Sequence, residues 1–211
     1  MRIPAAFAEH DLYWLDRLVA HDRLPALLTT ASDGLPCCSL LPVLYQRHGR
    51  DVLIEGHWAR NNPQAAHAGR ARLLLRGPHG YVSASWYPDK HSASRVPTWN
   101  HASAELTGQL ETFDDAPALA DLVQRLSREH EASVGSDWTL ERDDPRQMHM
   151  LGAITGFRFR PDDIRVQLKF SQNHPRPNQS AVIQALSSSA DTGSRELADW
   201  MRQRIDPAHA P

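Results

Sequence analysis

The clearest pattern in the chain is the nearly strict alternation from Ala102 to Thr112. Ala102, Ala104, Leu106, Gly108 and Leu110 fall on one side, and Ser103, Glu105, Thr107, Gln109 and Glu111 on the other. A period of two with one polar face predicts a half-exposed antiparallel strand. The same period returns at Ile164, Val166, Leu168 and Phe170, with Arg165, Gln167 and Lys169 opposed. It follows an apolar run over Ile154–Phe159, and Pro161-Asp162-Asp163 reads as the turn joining two strands. Earlier, Leu24–Thr30 and Leu35–Tyr45 flank Ser32-Asp33-Gly34, which predicts a hairpin. The turn His48–Asp51 then leads to a short strand at Val52–Ile54. Further strands are predicted over Ala71–Leu75 and Tyr81–Trp86, separated by a break at Gly77-Pro78. On the second of these, Tyr81, Ser83 and Ser85 share a face. Three- and four-residue apolar spacing predicts helices over 8–22 (Leu12, Leu15, Leu18, Val19) and 115–132 (Leu119, Leu122, Val123, Leu126). Shorter helices are read at 64–69, 179–187 and 194–204. The stretches 88–97 and 133–148 read as irregular.

Strands joined by tight turns favour antiparallel pairing over a strand-helix-strand arrangement. Six or more of them with peripheral helices predict an α+β protein built on a closed or partly closed barrel, closure being one way to remove free sheet edges. No repeat is visible, and Ser187-Ser188-Ser189 reads as a linker.

Composition narrows the function classes. Lys+Arg 23 against Asp+Glu 25 gives a formal net charge of -2, which argues against a protein that holds nucleic acid by charge alone. No window approaches the roughly 20 apolar residues of a membrane span, and Met1–Phe7 lacks a long apolar core, so a cytoplasmic protein without a membrane role is expected. Cys37 and Cys38 are adjacent, which disfavours a disulfide framework. The 12 His, 6 Trp and 15 Pro suggest rigid loops around a polar, aromatic-lined site.

Several segments carry candidate chemistry. Gly56–Pro63 reads as a strand end opening a short helix, where free backbone N–H groups joined by His57, Arg60 and Asn62 suit a phosphate; a polar helix entry is the alternative. Gly77–Tyr87 offers the hydroxyls of Ser83 and Ser85, with Trp86 and Tyr87 either stacking on a planar ligand or filling the core. Val96-Pro97-Thr98-Trp99-Asn100 closes a loop with a large flat ring and an amide. Lys169-Phe170-Ser171-Gln172-Asn173 is a polar strand end. No nucleophile elbow is present, no histidine pair has convincing metal spacing with a third ligand, and no metal is expected.

Taken together these segments resemble the PaiB-like family of FMN-binding negative transcriptional regulators. The resemblance rests on Ile3-Pro4 with Phe7, Gly56-His57-x-Ala59-Arg60-x-Asn62-Pro63, Gly77–Ser83 with Ser85-Trp86-Tyr87, Val96–Asn100, and Lys169-x-Ser171-Gln172-Asn173. It implies an antiparallel split β-barrel of the pyridoxamine-phosphate-oxidase-like, FMN-binding type with peripheral helices, over residues 1–175. A C-terminal helical extension, 176–211, would pack on the barrel or on a dimer partner. It also implies a homodimer with FMN near the subunit interface. His57, Arg60 and Asn62 would lie near the phosphate, Ser83, Ser85 and Trp86 would line the flavin cleft, and Trp99, Lys169 and Gln172 would border the ring or interface. The chain departs from the family at Arg2 (usually Tyr), Leu40 (commonly His), Phe170 (usually Leu) and His101-Ala102, where an aromatic residue is common.

Three functional readings follow. The first is a dimeric FMN-binding regulator, for which direct contact with nucleic acid has only Arg158, Arg160, Arg165 and Lys169 as a local basic face. The second is an FMN-dependent oxidoreductase acting on a small molecule, with His79 and Tyr87 near the cleft. The third is a folded remnant without FMN that works through protein contacts. Whether the protein is an enzyme is left open by the sequence.

Overall fold

Three long strands organise the chain. In a computed structural model describing residues 2–206, β6 (Gly69–Val82), β7 (Thr98–Phe113) and β8 (Ile154–Lys169) have 14, 16 and 16 residues. With β1 (Ala8–Glu9), β2 (Ala26–Thr30), β3 (Pro36–Leu40), β4 (Leu44–His48) and β5 (Asp51–Ala59) they form one sheet. Its order is β3-β2-β6-β7-β8-β5-β4, with β1 pairing to β8. Five α-helices accompany it: α1 (Tyr13–His21), α2 (Ala116–Ser133), α3 (Pro145–Met150), α4 (Arg176–Ser187) and α5 (Thr192–Ile205). The protein is therefore an α+β antiparallel sheet of the split-barrel type. Of the closed or partly closed barrel expected, the closed alternative drops out among the described residues, because the hydrogen-bonded path has two ends, β3 and β4. Both edges have only five residues, β3 begins with a proline and β4 ends in Arg47-His48, features that discourage edge-to-edge pairing.

Two further expectations are corrected. Pro161-Asp162-Asp163 does not turn the chain, because β8 runs through it unbroken. Opposite it stands Gly108 of β7, where a Cβ would lie 2.0 Å from the Arg160 carbonyl oxygen, so the missing side chain lets the proline segment lie flat against its neighbour. Gly77-Pro78 likewise does not break β6. At Gly77 a Cβ would meet Ala102 and Leu18 at 2.8 Å, so the glycine marks close packing rather than a turn. Smaller boundary changes follow local chemistry. The first helix starts at Tyr13, since residues 5–7 form a 3-10 turn and Ala8-Glu9 pair with Gln167 and Val166. The apolar run 35–45 is divided between β3 and β4 around Leu41-Pro42-Val43. In the stretch read as irregular, Asp144 caps α3, accepting a hydrogen bond from the Arg146 N–H at 2.8 Å.

The chain divides into two compact units, and β6, β7 and β8 each contribute residues to both. The first comprises residues 1–21, 76–104 and 165–211, of which 207–211, the end of the expected C-terminal extension, lie outside the described residues. Its core is aromatic: Trp14 of α1 meets Phe170 edge-on with centroids 6.3 Å apart and Trp200 of α5 at 5.7 Å. Arg17 lies 4.1 Å above the Trp200 ring. The second comprises 22–75 and 105–164. It buries Leu27, Ile54, Trp58, Leu73, Leu106 and Phe157 completely or nearly so. Here Glu55, 4% exposed, accepts hydrogen bonds from Arg125 at 2.6 Å and Arg158 at 3.1 Å, so its buried carboxylate is fully paired.

Candidate functional site

In the second unit, the segment Gly56–Pro63 begins inside β5 rather than after it. His57 is therefore a strand residue, opposite Gly156 of β8. Its Nδ1 is buried and has no partner among the described residues, and burial pushes its pKa below the usual histidine value, favouring the neutral ring. Arg60 follows the strand with its side chain half-exposed. Its backbone N–H and Nη2 are anchored on the carbonyls of Ala153 (2.7 Å) and Ile154 (3.2 Å), and Nη1 lies 3.8 Å from Asp114. The side chain is 46% exposed, which leaves a guanidinium within reach of an anion.

Asn62 does a different job. Its Oδ1 accepts from the Gln64 N–H at 2.9 Å, capping the 3-10 turn Pro63–Ala66, and its Nδ2 donates to Ser39 Oγ at 3.2 Å. Ser39 and the buried Gln64 continue the chain of bonds to the carbonyls of Leu27 and Cys37. This lattice fixes the turn that presents Arg60. It also occupies the Gln64 amide, one of the N–H groups expected to be free at this turn.

In the first unit, Ser83 and Ser85 do not lie on one strand face, because β6 ends at Val82 and Ala84–Trp86 form a 3-10 turn. Ser83 caps that turn, and the two hydroxyls hydrogen-bond at 2.8 Å. Trp86 is half-buried beside them, while Tyr87 is core at 1% exposure. Trp99, half-exposed at the start of β7, donates from Nε1 to His79 Nδ1 at 3.3 Å, and Tyr81 meets its ring at 6.3 Å. The three rings make an aromatic step on neighbouring strands. Lys169 Nζ donates to Thr98 Oγ1 at 2.5 Å. Gln172 is consumed locally: Oε1 accepts from the Phe170 N–H at 2.7 Å and Nε2 donates to the Leu168 carbonyl. It braces the turn at Ser171, which has φ +62°.

Asn100 and Ser171 stand out in the sequence as polar groups, but their pairing, and the ion pair of Asp89 with Arg95, do not. Asn100, fully buried, donates from Nδ2 to Ser171 Oγ at 2.8 Å. Asp89 forms a two-point ion pair with Arg95, with Nε to Oδ1 at 3.0 Å, and also accepts from Asn178 at 2.7 Å. The Arg95 guanidinium, with Asn178 assisting, holds the Asp89 carboxyl down at about 2. Tyr87 stacks on His174 at 4.8 Å and 9°. Burial pushes its phenol up, and Ser171 lies near enough to oppose this without hydrogen-bond geometry. A loop-bound ion pair and a non-glycine residue at positive φ leave no periodic trace, so reading alternation could not find them.

Comparison with known proteins places the chain. A family model described as "Putative FMN-binding domain" matches residues 1–163. The chain belongs to the PaiB-like FMN-binding family. Its cofactor is FMN. It is similar to "Protease synthase and sporulation protein PAI 2" of Bacillus subtilis, 26% identical over 97% of this chain and 98% of that one. Its fold is similar to a FAD and heme binding protein from Mycobacterium smegmatis, with TM-score 0.55, 18% identity and coverage of 77% and 73% of the two chains. The flavocytochrome Anf3 from Azotobacter vinelandii gives TM-score 0.53, 14% identity and coverage of 77% and 69%. These two likenesses concern fold alone. Among the described residues no group of three or more His, Cys, Asp or Glu could hold a metal ion, and no helix is long and apolar enough to cross a membrane.

The side chains fit the family's cofactor. FMN needs a cationic donor for its phosphate, a flat apolar surface and polar groups for its ring edge. In the second unit Arg60 supplies a half-exposed guanidinium and His57 an unpartnered buried nitrogen; taken by itself, the first unit supplies the half-exposed ring of Trp99 and the Lys169 ammonium.

Proposed function

We propose that this protein is an FMN-binding homodimer that serves as a negative regulator, the role of the family it resembles. The observation that carries the cofactor side is Arg60, anchored through its backbone and Nη2 while its half-exposed guanidinium has only the more distant Asp114 carboxylate, 3.8 Å from Nη1, as a charged partner. In this reading Arg60 binds the phosphate end with His57, while Asn62 positions the turn. Ser83, Ser85 and Trp86 line the flavin cleft. Trp99 offers a stacking face and Lys169 a positive charge at the ring side, with Gln172 holding the Lys169 strand end in place. Bound FMN would supply one- and two-electron redox chemistry.

Absorbance of purified protein, dialysed after addition of FMN, tests this. Flavin bands near one per chain are expected, with affinity reduced roughly tenfold in Arg60→Gln through loss of a charge-assisted bond. A protein that retains no flavin would overturn the proposal and favour the remnant reading.

A second reading, an FMN-dependent oxidoreductase acting on a small molecule, is favoured by a cavity in the first unit beside Lys169. Consumption of NAD(P)H by FMN-loaded protein together with a small acceptor supports it, and absence of flavin reduction counts against it.

A further inference from the structure

Phe7, the segment Ala93–Thr98, Asn100, and Lys169 with Ser171, Asn173 and His174 surround a cavity of about 380 Å³, contained within the first unit. This is the lower end of the range for small-molecule sites. Its floor is polar and incompletely satisfied. Asn100 is wholly buried, its Nδ2 is used by Ser171, and its Oδ1 has no partner among the described residues. His174 Nδ1 is in the same position. A buried acceptor without a donor is costly, so Asn100 Oδ1 calls for a donor from whatever fills the cavity. The charge is equally specific. Arg95 is neutralised by its two-point pair with Asp89. Lys169 donates to the Thr98 hydroxyl and has no carboxylate partner among the described residues. Phe7, Ala93, Val96 and Pro97 supply apolar walls, and Ser94 and Asn173 further polar ones. Ser94 (φ +45°) and Ser171 (φ +62°), the two non-glycine residues at positive φ among those described, both line this cavity. Such backbone is retained where the surroundings over-determine it, and it concentrates at ligand sites.

We propose that this cavity binds a small α-hydroxy carboxylic acid with a compact apolar body. The carboxylate would meet Lys169 and Thr98, and the hydroxyl would donate to Asn100 Oδ1. An α-amino acid is disfavoured, because its ammonium would cancel the attraction of a pocket carrying one net positive charge. The proposal rests on the FMN reading only in taking Lys169 to stand beside the cofactor. The acid is then the effector of the regulator, or the substrate of the oxidoreductase.

The test is a titration of the full-length protein, FMN-loaded and FMN-free, followed by ligand-observed NMR with phenyllactate, phenylalanine, hydrocinnamate and inorganic phosphate as probes. Phenyllactate is expected to bind at least tenfold more tightly than hydrocinnamate, which lacks the α-donor, and than phenylalanine. Ala93→Phe, at an exposed wall position, should fill the cavity and weaken phenyllactate at least tenfold while FMN retention stays unchanged. Asn100→Asp should weaken it further if the variant folds. Equal binding of phenyllactate and hydrocinnamate, no binding at millimolar concentration, or competition by FMN or phosphate for the same cavity would each overturn the proposal. Phenyllactate binding to a protein that retains no FMN would uphold this site and sink the cofactor reading.

Discussion

At the scale of single residues, the charged groups around the cavity set a measurable pH response. Asp89 is held at about 2 by Arg95 and Asn178, below the ordinary 3.8. Its folded pKa is depressed, so the stability it contributes is fully present above about pH 5. That stability is lost as pH falls toward 2, because the unfolded chain takes up the proton first. Thermal unfolding across pH 7 to 2 should show the protein losing stability through this window. Asp89→Asn should be less stable than the parent at pH 7 and nearly equal to it at the acid end. An acid limb unchanged by the substitution would show that the ion pair contributes nothing. The same residues mark the limit of sequence reading. His57, Arg60, Trp99 and Lys169 were visible as donors and rings, but whether a donor is spent internally, as in Asn62 and Gln172, depends on partners two to 23 residues away that only the fold supplies.

At the scale of elements, β8 shows why a turn signal can fail. Pro161-Asp162-Asp163 has the composition of a turn, yet it stays extended because Gly108 on β7 leaves no Cβ between the two backbones. Gly108→Ala would place its Cβ 2.0 Å from the Arg160 carbonyl and 2.4 Å from Pro161 Cα. Neither atom is the end of a flexible side chain, so the strands must separate. A loss of about 3 kcal/mol is expected in urea unfolding, the upper part of the usual overpacking range. Gly152→Ala, where nothing lies within 4 Å of the added carbon, should change stability little. Equal behaviour of the two variants would refute the close-approach account. The alternation that predicted β7 and the second half of β8 was legible because one face of each is buried. The turns at Gly34 and Gly49 were legible because positive φ selects glycine. The joins within β6 and β8 were not, since they depend on a small residue in a strand far along the chain. The six-residue α3 was marked only by Asp144-Pro145, too short a signal to outweigh its polar surroundings.

At the scale of the whole molecule, the question is whether the regulatory reading requires direct contact with DNA. Counterion release demands several cations free to meet phosphates, and much of the arginine here is already spoken for. Arg70 is paired with Asp162, Arg72 lies near Glu105, Arg125 and Arg158 share Glu55, Arg95 is held by Asp89, and Arg204 by Glu9. Of the four residues first considered as a basic face, Arg158 is committed to Glu55 and lies 4.5 Å over the Phe113 ring, and Lys169 lines the cavity of the first unit. With a formal net charge of -2 there is no general surplus to replace them. A duplex of unrelated sequence should therefore show no retardation at 150 mM salt. At low salt any binding should weaken with a log–log slope of magnitude below about 3, against about 5–9 for proteins making 6–10 phosphate contacts. A steep slope would mean that these ion pairs open on DNA and that contact is direct. A shallow one, together with retained FMN, would place the regulatory action in the flavin and its small-molecule site, with a protein partner carrying the signal to the promoter.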